Sequence, residues 1–396
     1  ESGMSLNIVF VTETYPPEVN GVAMTVGRLV QGWRAAGHHV TVVRPRQSGE
    51  SPEKAGYELV RSLPIPGYPG LRFGLPAGGL LRRLWRQQPP DVVHVVTEGP
   101  LGWSAVNAAR ALKIPVTSGF HTNFDRYSVH YGLGFLRPAV AAYLRTLHRR
   151  TRATMVPTEA LAADLAGEGI QGVRVVGRGV DTQLYRPEQR CEALRQRWLQ
   201  GGRGPVCLYV GRLAPEKNLA LVEASFAALA AVQPDARMVW VGDGPARSAL
   251  AARHPTHLFT GQQVGEDLAR HYASADLFLF PSLTETYGNV VAEAMASGLP
   301  VVAYRSAAAA ALIVNGENGV VVAPGDEAAY VRAVLALMAA PQSGPRLGMA
   351  ARERMLSHSW SRVVQDFLAV LDEAISGQNS ACARSEVMAA GPRSAL

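Results

Sequence analysis

Two short apolar runs in the C-terminal half of the chain constrain the fold more than any other feature. Residues 277–280 read Leu-Phe-Leu-Phe, and residues 301–303 read Val-Val-Ala. Continuous apolar runs of this length are typical of strands that are buried on both faces. Between the two runs, Asn289 can cap a short helix that Gly298 and Pro300 then end. The stretch therefore predicts a strand–helix–strand unit within a parallel sheet.

The same alternation of strands and helices runs through both halves of the chain. In the first half, strands are predicted at residues 6–11, 40–43, 91–96, 116–119, 154–157 and 173–176. In the second half, they are predicted at residues 206–210, 237–241, 258–259, 277–280, 301–303 and 320–322. A chain of 396 residues is too long for one ordinary core. The pattern predicts an α/β protein of two Rossmann-like, doubly wound domains.

The domain boundaries follow from composition. Residues 186–204 are rich in Pro, Gln and Gly and are the predicted linker, so that the first domain spans residues 1–187 and the second spans residues 204–357. An amphipathic helix within residues 358–376 is expected to cross back onto the first domain. Residues 377–396 lack a core pattern and are expected to form a disordered tail.

Composition also narrows the compartment and the partners. Three cysteines without metal-ligand spacing argue for a reducing compartment. The sequence shows no run long enough to span a membrane and no secretory leader, so a cytoplasmic location is expected. The formal net charge of +7 suits an anionic partner. Nucleic acid ranks last among such partners because no nucleic-acid motif is found. The sequence leaves the oligomeric state open.

Several positions in the first half are candidates for function. Gly21 stands at the entrance of a predicted helix, where a glycine lets backbone amides approach a diphosphate, although an ordinary turn explains it as well. His94 lies inside a predicted strand and is expected to be a hydrogen-bonded core residue. His121 follows the strand at residues 116–119 at its carboxyl end. It therefore faces the predicted cleft and is a candidate functional residue.

Two features of the first half suit an anionic membrane surface. Residues 62–76 combine apolar side chains with four prolines and three glycines, which argue against regular structure. A basic helix with Arg82, Arg83 and Arg86 follows, and the helix predicted at residues 133–152 carries a second basic face. An irregular loop packed on its own domain and a solvated helix face are the alternative interpretations.

Charged residues of the second half gather in loops at the carboxyl ends of its strands, at residues 211–217, 242–245, 261–263 and 283–289. Arg212 and Lys217, together with helix N-termini, suit a diphosphate. Glu285 and Glu293 suit vicinal hydroxyls, because each carboxylate accepts paired hydrogen bonds. The constellation predicts a nucleotide-sugar site. Since no metal cluster is evident in the sequence, the two cations are expected to stabilise the leaving diphosphate without a metal ion.

Two segments carry a specific resemblance to a known family. Residues 211–218 read Gly-Arg-Leu-Ala-Pro-Glu-Lys-Asn, and residues 281–300 place Glu285 and Glu293 eight positions apart within PSLTETYGNVVAEAMASGLP. The chain resembles the retaining glycosyltransferases of family four, and the resemblance covers nearly all of residues 6–375. It implies the GT-B fold, in which two Rossmann-like domains face a cleft.

The resemblance implies a role for each residue of the pattern. Arg212 and Lys217 would bind the donor diphosphate, Glu293 would hold the ribose hydroxyls, and Glu285 would hold the donor sugar. His121 would lie beside the anomeric carbon, and Gln263 would border the base. The implied catalytic residues are His121, Arg212, Lys217 and Glu285. The other implied donor-binding positions are Gly21, Gly211, Gly242, Gln263, Tyr287, Gly288, Asn289, Val290 and Glu293.

Residues 14–22, 120–123 and 284–289 look most like one branch of that family. The branch contains GDP-mannose-dependent α-mannosyltransferases and the glycosyltransferases of diacylglycerol and sulfolipid. It implies α-transfer of a hexose from GDP-mannose or a UDP-hexose to a membrane lipid such as diacylglycerol, by an enzyme peripheral on the cytoplasmic membrane face and without a cofactor. A mannosyltransferase for soluble or oligosaccharide acceptors and a non-catalytic nucleotide-sugar-binding protein are the alternatives. The alanine run at 307–311 departs from the polar residues of many relatives.

Overall fold

The computed structural model describes residues 5–16, 21–47, 50, 55–64, 72–120, 137–285 and 287–377. In these ranges the strands are β1 (Asn7–Val11), β2 (His39–Pro45), β3 (Tyr57–Val60), β4 (Ser62–Pro64), β5 (Arg72–Gly74), β6 (Val92–Val95), β7 (Val116–Gly119), β8 (Thr154–Val156), β9 (Val173–Val175), β10 (Val206–Val210), β11 (Arg237–Val241), β12 (Leu258–Gly261), β13 (Leu277–Phe280), β14 (Val301–Tyr304) and β15 (Val320–Val322).

The α-helices in the same ranges are α1 (Gly21–Ala35), α2 (Gly78–Gln87), α3 (Pro100–Ala111), α4 (Arg137–His148), α5 (Glu159–Gly167), α6 (Glu192–Leu199), α7 (Leu219–Val232), α8 (Arg247–Arg253), α9 (Gly265–Ser274), α10 (Asn289–Ala296), α11 (Ala307–Leu312), α12 (Glu327–Ala339), α13 (Ser343–Leu356) and α14 (Trp360–Ser376).

Two parallel sheets organise the molecule. The first has seven strands in the order β3-β2-β1-β6-β7-β8-β9, and the second has six in the order β12-β11-β10-β13-β14-β15. In both sheets the strand order reverses direction in the middle, next to β1 in the first sheet and next to β10 in the second. This confirms the predicted pair of doubly wound domains. Ligands bind such sheets in the crevice beyond the carboxyl ends of the strands, where the order reverses.

His94 occupies the centre of the first sheet, as the sequence predicts. Its side chain is 1% exposed, and its Nδ1 lies 2.9 Å from the Thr117 hydroxyl on the neighbouring strand. The ring packs against Phe10 and Phe367, and burial lowers the pKa of His94 to about 3. The imidazole is therefore neutral in the folded protein and acts as a core residue.

The proline-rich segment contains regular structure that the sequence argued against. β4 and β5 pair as an antiparallel hairpin, in which Pro64 lies opposite Arg72 at one end. Arg72 fastens the hairpin, because its Nε donates to the Ser62 hydroxyl over 2.7 Å and its Nη2 donates to the Ser62 carbonyl over 3.1 Å. A proline is tolerated at the end of so short a strand. The intervening residues 65–71 lie outside the described part of the chain.

The predicted linker at residues 186–204 contains helix α6. Leu194, Trp198 and Leu199 are buried in the hydrophobic core of the second domain. Arg195 donates to the carboxylate of Asp276 over 2.9 Å, which ties the helix to the start of β13. The exposed face of α6 is polar, so the composition of residues 186–204 resembles that of a linker. The apolar residues of α6 nevertheless have the spacing of an amphipathic helix.

The last helix, α14, packs on the domain with which the chain begins. Its residues Val364 and Phe367 share one buried cluster with Trp33 of α1. The indole Nε1 of Trp33 donates to the carbonyl of Val364 over 3.3 Å. Helix α1 approaches closely there, because a Cβ on Gly32 would lie 2.5 Å from a methyl group of Val364. The tail from residue 378 onwards lies outside the described residues.

Candidate active site

The loops that follow β10 and β13 meet where the strand order of the second sheet reverses. Lys217 lies in a short 3-10 helix (Pro215–Lys217) after β10, and Glu285 lies in the loop after β13. The ammonium of Lys217 forms an ion pair with Glu285, and the hydroxyl of Ser282 donates to the same carboxylate oxygen over 3.0 Å. The lysine and glutamate side chains are 10% and 19% exposed. The structure thus joins the predicted diphosphate cation to the predicted sugar-binding acid at the crevice.

Arg212 lies in the same loop as Lys217. Its side chain is 35% exposed, and its Nη1 lies 3.7 Å from the carboxylate of Glu216. The Glu216 side chain is itself buried, and the Thr284 hydroxyl donates to its backbone carbonyl over 3.1 Å. The loops after β10 and β13 are therefore linked by the Thr284 hydroxyl as well as by the ion pair between Lys217 and Glu285.

The predicted glycines of this edge allow close packing of loop backbones. Gly242 has a φ of 132°, and a Cβ there would lie 1.9 Å from the carbonyl oxygen of Gly211. The amide of Gly211 in turn donates to the Val241 carbonyl over 3.0 Å. No side chain fits between these backbones, so Gly242 allows the loops after β10 and β11 to pack against each other directly.

Glu293 lies in the second turn of α10, and the hydroxyl of Tyr272 on α9 donates to it over 2.8 Å. Burial raises the pKa of Glu293 to about 7, although the bond from Tyr272 acts in the opposite direction. A carboxyl group with this pKa is close to half ionised at neutral pH. Its position in the helix that directly follows β13 and the Glu285 loop places it at the same edge of the sheet as Glu285.

Asn289 does not cap α10 with its side chain, so this part of the sequence prediction is wrong. Gly288, with a φ of 85°, occupies the N-cap position, and Asn289 is the first helical residue. Its side chain reaches the first domain instead, where Nδ2 donates to the carbonyl of Gly21 over 3.3 Å. The predicted donor-binding positions Gly21 and Asn289 thus contact each other across the cleft.

Arg178 is a residue of this site that the sequence prediction missed. It follows β9, is 7% exposed, and its Nη1 donates to Oδ1 of Asn289 over 3.3 Å. Its guanidinium carbon lies 5.6 Å from the centre of the Tyr287 ring. The position of Arg178 between Gly177 and Gly179 after a strand of the first sheet is the signal that could have identified it.

The alanine run at 307–311 supports the loop that carries Tyr287. It forms most of helix α11, and the backbone amide of Ala308 donates to the carbonyl of Tyr287 over 2.7 Å. This contact uses no side chain. The alanine run therefore provides a backbone link between α11 and the loop before α10.

The other predicted positions are distributed as follows. The side-chain amide of Gln263 donates to the carbonyl of Thr260 in the preceding strand, β12, over 2.9 Å. Val290 packs partly buried against the core of the second domain. His121 lies outside the described residues.

Within the described ranges, no group of three or more His, Cys, Asp or Glu side chains is placed to hold a metal ion. None of the helices described there is long and apolar enough to cross a bilayer.

Two facing doubly wound domains, with this charge constellation at the edge of the second sheet, define a GT-B glycosyltransferase. The description "Glycosyltransferase Family 4" matches residues 19–184, and "Glycosyl transferases group 1" matches residues 204–340. A GDP-mannose-dependent alpha-mannosyltransferase of Mycobacterium tuberculosis is 35% identical over 95% of this chain and 98% of its own length. The chain therefore belongs to the family 4 glycosyltransferases and is a retaining, nucleotide-sugar-dependent hexosyltransferase.

More distant proteins extend this result. An alpha-monoglucosyldiacylglycerol synthase of Streptococcus pneumoniae is 28% identical over 76% of this chain and 71% of its own length. Among solved structures, a sucrose-phosphate synthase from Thermosynechococcus elongatus superposes with a TM-score of 0.77 at 19% identity, covering 94% of this chain and 99% of that one. The latter similarity establishes the fold alone, and it confirms the GT-B prediction.

Proposed function

We propose that this protein transfers mannose from GDP-mannose to a lipid acceptor at a membrane surface, with retention of the α configuration and without a metal ion. The Lys217–Glu285 ion pair at the reversal point of the second sheet carries the donor half of the proposal, because it couples a diphosphate cation to a sugar-binding acid. The name of the mycobacterial relative supports GDP-mannose as the donor.

In this proposal the nucleotide lies along the carboxyl edge of the second sheet. Arg212 and Lys217 bind the diphosphate and neutralise the charge that develops as the sugar leaves. Glu293 accepts hydrogen bonds from the ribose hydroxyls, and Glu285 binds the hexose with the amides of residues 287–289. His121 is assigned beside the anomeric carbon from the family pattern alone.

The reaction proposed is a same-face displacement. The bond between the anomeric carbon and the diphosphate oxygen breaks as the acceptor hydroxyl oxygen attacks from the side of the leaving group. The acceptor proton passes to the leaving phosphate oxygen, so no protein nucleophile is required. Lys217 and Arg212 favour this path because they stabilise negative charge on that oxygen in the transition state.

The acceptor is assigned to the first domain. At the reversal point of its sheet, the amide of Glu13 after β1 donates to the hydroxyl of Thr97 after β6 over 2.9 Å. The carboxyl group of Glu13 is beside Glu98, and burial together with that neighbouring charge raises its pKa to about 7. Carboxyl groups at this edge suit a hydroxylated acceptor head group.

Surface features of the first domain support a membrane-bound acceptor. Helix α2 buries Leu81 and Trp85 and exposes Arg83 and Arg86. The adjacent hairpin exposes Leu63 at 48% of its surface. A basic helix beside an exposed apolar residue is attracted to anionic lipid. The diacylglycerol named for the streptococcal relative is consistent with this assignment.

The test combines turnover with membrane binding. The purified protein is incubated with GDP- and UDP-hexoses and diacylglycerol in anionic vesicles, and nucleotide release and new glycolipid are followed. Glycolipid formed from GDP-mannose supports the proposal. Transfer to water-soluble sugars in the absence of lipid would instead establish the soluble-acceptor alternative, and binding of the nucleotide sugar without turnover would establish a non-catalytic role.

Co-sedimentation separates the membrane part of the proposal from the chemistry. The variant Arg83→Ala/Arg86→Ala should lose binding to anionic vesicles at low salt. The control Arg253→Ala/Arg270→Ala removes the same charge from exposed positions of the second domain and should retain it. Equal binding of both variants would contradict the assignment of α2 to the membrane.

A further inference from the structure

Arg178 is buried at the point where the chain leaves the first domain. It follows β9, and two residues later the amide of Val180 donates to the carbonyl of His358, which precedes the returning helix α14. At Gly179, a Cβ would lie 2.9 Å from Cα of Trp360. Both passages of the chain between the two domains therefore run beside Arg178, and relative movement of the domains must pass through this region.

The contacts of Arg178 belong to both domains. On the first domain, its Nη1 lies 3.4 Å from the hydroxyl of Thr25, a buried residue of α1. On the second domain, the same nitrogen donates to Asn289 over 3.3 Å, and the guanidinium lies 5.6 Å from the centre of the Tyr287 ring. Asn289 then donates back to Gly21 of the first domain over 3.3 Å.

We propose that Arg178 is a positioning residue that fixes the donor loop of residues 287–289 against the N-terminus of α1, so that the loop binds the donor sugar in its productive form only when the domains are in contact. The inference rests on the proposed function, since it assigns a task to the loop that holds the sugar. It adds a buried arginine of the first domain to a donor site whose charged residues otherwise come from the second domain.

The chemistry of arginine suits this task. A planar guanidinium can donate to two acceptors while it lies near an aromatic ring, which a lysine ammonium cannot do with the same geometry. Burial lowers the pKa of Arg178 to about 10, while Tyr287 and Glu285 favour the charged form. The group therefore remains charged at neutral pH, and its contacts persist over the working range of the enzyme.

The loop of residues 287–289 is held at both of its ends. The Tyr287 carbonyl accepts a bond from Ala308, so the loop is fixed to α11 on one side. Gly288, with a φ of 85°, gives the loop a left-handed joint immediately before Asn289. Arg178 acts on both sides of this joint, at the Tyr287 ring and at the Asn289 amide.

The experiment uses the full-length protein with Arg178→Ala, Arg178→Lys, Asn289→Ala and the double variant Arg178→Ala/Asn289→Ala. The control is Arg174→Ala, which removes an arginine from the same segment that pairs with Glu373 at 3.2 Å. Donor KM and kcat, the Kd of GDP, the thermal midpoint and the radius of gyration in solution are measured for each.

We expect Arg178→Ala to reduce kcat/KM for the donor by at least about tenfold while the Kd of GDP changes by less than about twofold, since GDP lacks the sugar held by the loop. Arg178→Lys should not restore the loss. The losses of Arg178→Ala and Asn289→Ala should not multiply in the double variant, because both residues lie on one path. Arg174→Ala should leave kcat/KM near wild type.

Retention of kcat/KM within about twofold in Arg178→Ala, or multiplication of the two losses, would overturn the inference. Failure of the wild-type protein to use any nucleotide sugar would instead count against the proposed function. In that event the radius of gyration decides the role of Arg178. An increase in Arg178→Ala but not in Arg174→Ala supports the positioning role, and equal radii refute it.

Discussion

The hydroxyl of Tyr272 donates a hydrogen bond to Glu293 over 2.8 Å, from the helix that precedes β13 to the helix that follows it. The bond fixes one oxygen of the carboxyl group that we assign to the ribose. Burial of that group raises its pKa to about 7. Nucleotide recognition is therefore expected to depend on pH within the physiological range.

The affinity for GDP should fall as the pH drops below about 7, where Glu293 becomes protonated. The neutral acid accepts fewer hydrogen bonds from vicinal hydroxyls, so Kd should rise by up to about tenfold for each pH unit below the midpoint. Titration calorimetry at several pH values measures this. Glu293→Gln should bind weakly with no such midpoint, and a midpoint that persists in that variant would contradict the assignment.

Tyr272→Phe gives a second test of the same contact. The bond from Tyr272 lowers the pKa of Glu293, so its removal should move the midpoint of GDP binding to higher pH.

Because the folded-state pKa of about 7 exceeds the ordinary value of 4.5, Glu293 favours the folded protein at low pH and loses that contribution as the pH rises through 7. Glu13 behaves similarly, so nucleotide binding isolates Glu293 better than unfolding does.

Lys217→Ala and Glu285→Ala should each reduce kcat on the order of hundredfold or more, because each removes a group from the leaving diphosphate or the sugar. The double variant should be little worse than either single variant, since each change also leaves its former partner without the ion pair. Steady-state kinetics check this, with Arg270→Ala as the control for loss of an exposed ion pair on α9. Near-normal turnover in Lys217→Ala would exclude the assigned role.

Gly242→Ala should destabilise the second domain and disrupt nucleotide binding. The φ of 132° and the approach to Gly211 leave no room for a methyl group, so we expect a loss of about 1–3 kcal/mol from backbone strain alone. Gly79→Ala is the control, since nothing lies within 4 Å of its Cβ position. Chemical denaturation measures both, and equal stability of the two variants would refute the packing argument.

Phe367→Ala should destabilise the first domain although it lies near the C-terminus of the chain. The ring is 4% exposed and packs at centroid distances of 5.0 Å from Trp33 and 4.8 Å from His94. Removal of a buried aromatic ring costs about 3–5 kcal/mol. Met349→Ala, at a position 75% exposed on α13, should have little effect. Chemical denaturation followed by tryptophan fluorescence and circular dichroism measures the change in both variants.

Local patterns in the sequence were sufficient for the fold because both sheets are parallel and buried. The run Leu277–Phe280 is fully buried, as its continuous apolar character predicts. The patterns failed where local composition and tertiary role disagree. Helix α6 lies in a segment of mostly polar composition, yet its residue Trp198 is buried in the core of the second domain. In the hairpin β4–β5, a hydrogen bond from the Arg72 side chain to Ser62 stabilises strands in a segment whose prolines argue against regular structure.

The candidate site was predictable where its residues lie in one contiguous motif, as Glu285 and Glu293 do. Contacts between distant parts of the chain carry no such signal. Arg178 and Asn289 are 111 positions apart, and the Tyr272–Glu293 bond joins two helices across an intervening strand. Only the three-dimensional fold shows that these pairs of side chains form hydrogen bonds with each other.

The return of α14 to the first domain has a consequence for the order in which the protein matures. All strands of the first sheet are complete at Val175, but Trp33 and Phe10 gain their cover from Phe367 only after the second domain has been synthesised. Domains generally fold from the N-terminus as the ribosome releases them. Here the second domain can fold first, while one apolar face of the first domain stays uncovered until α14 has left the ribosome.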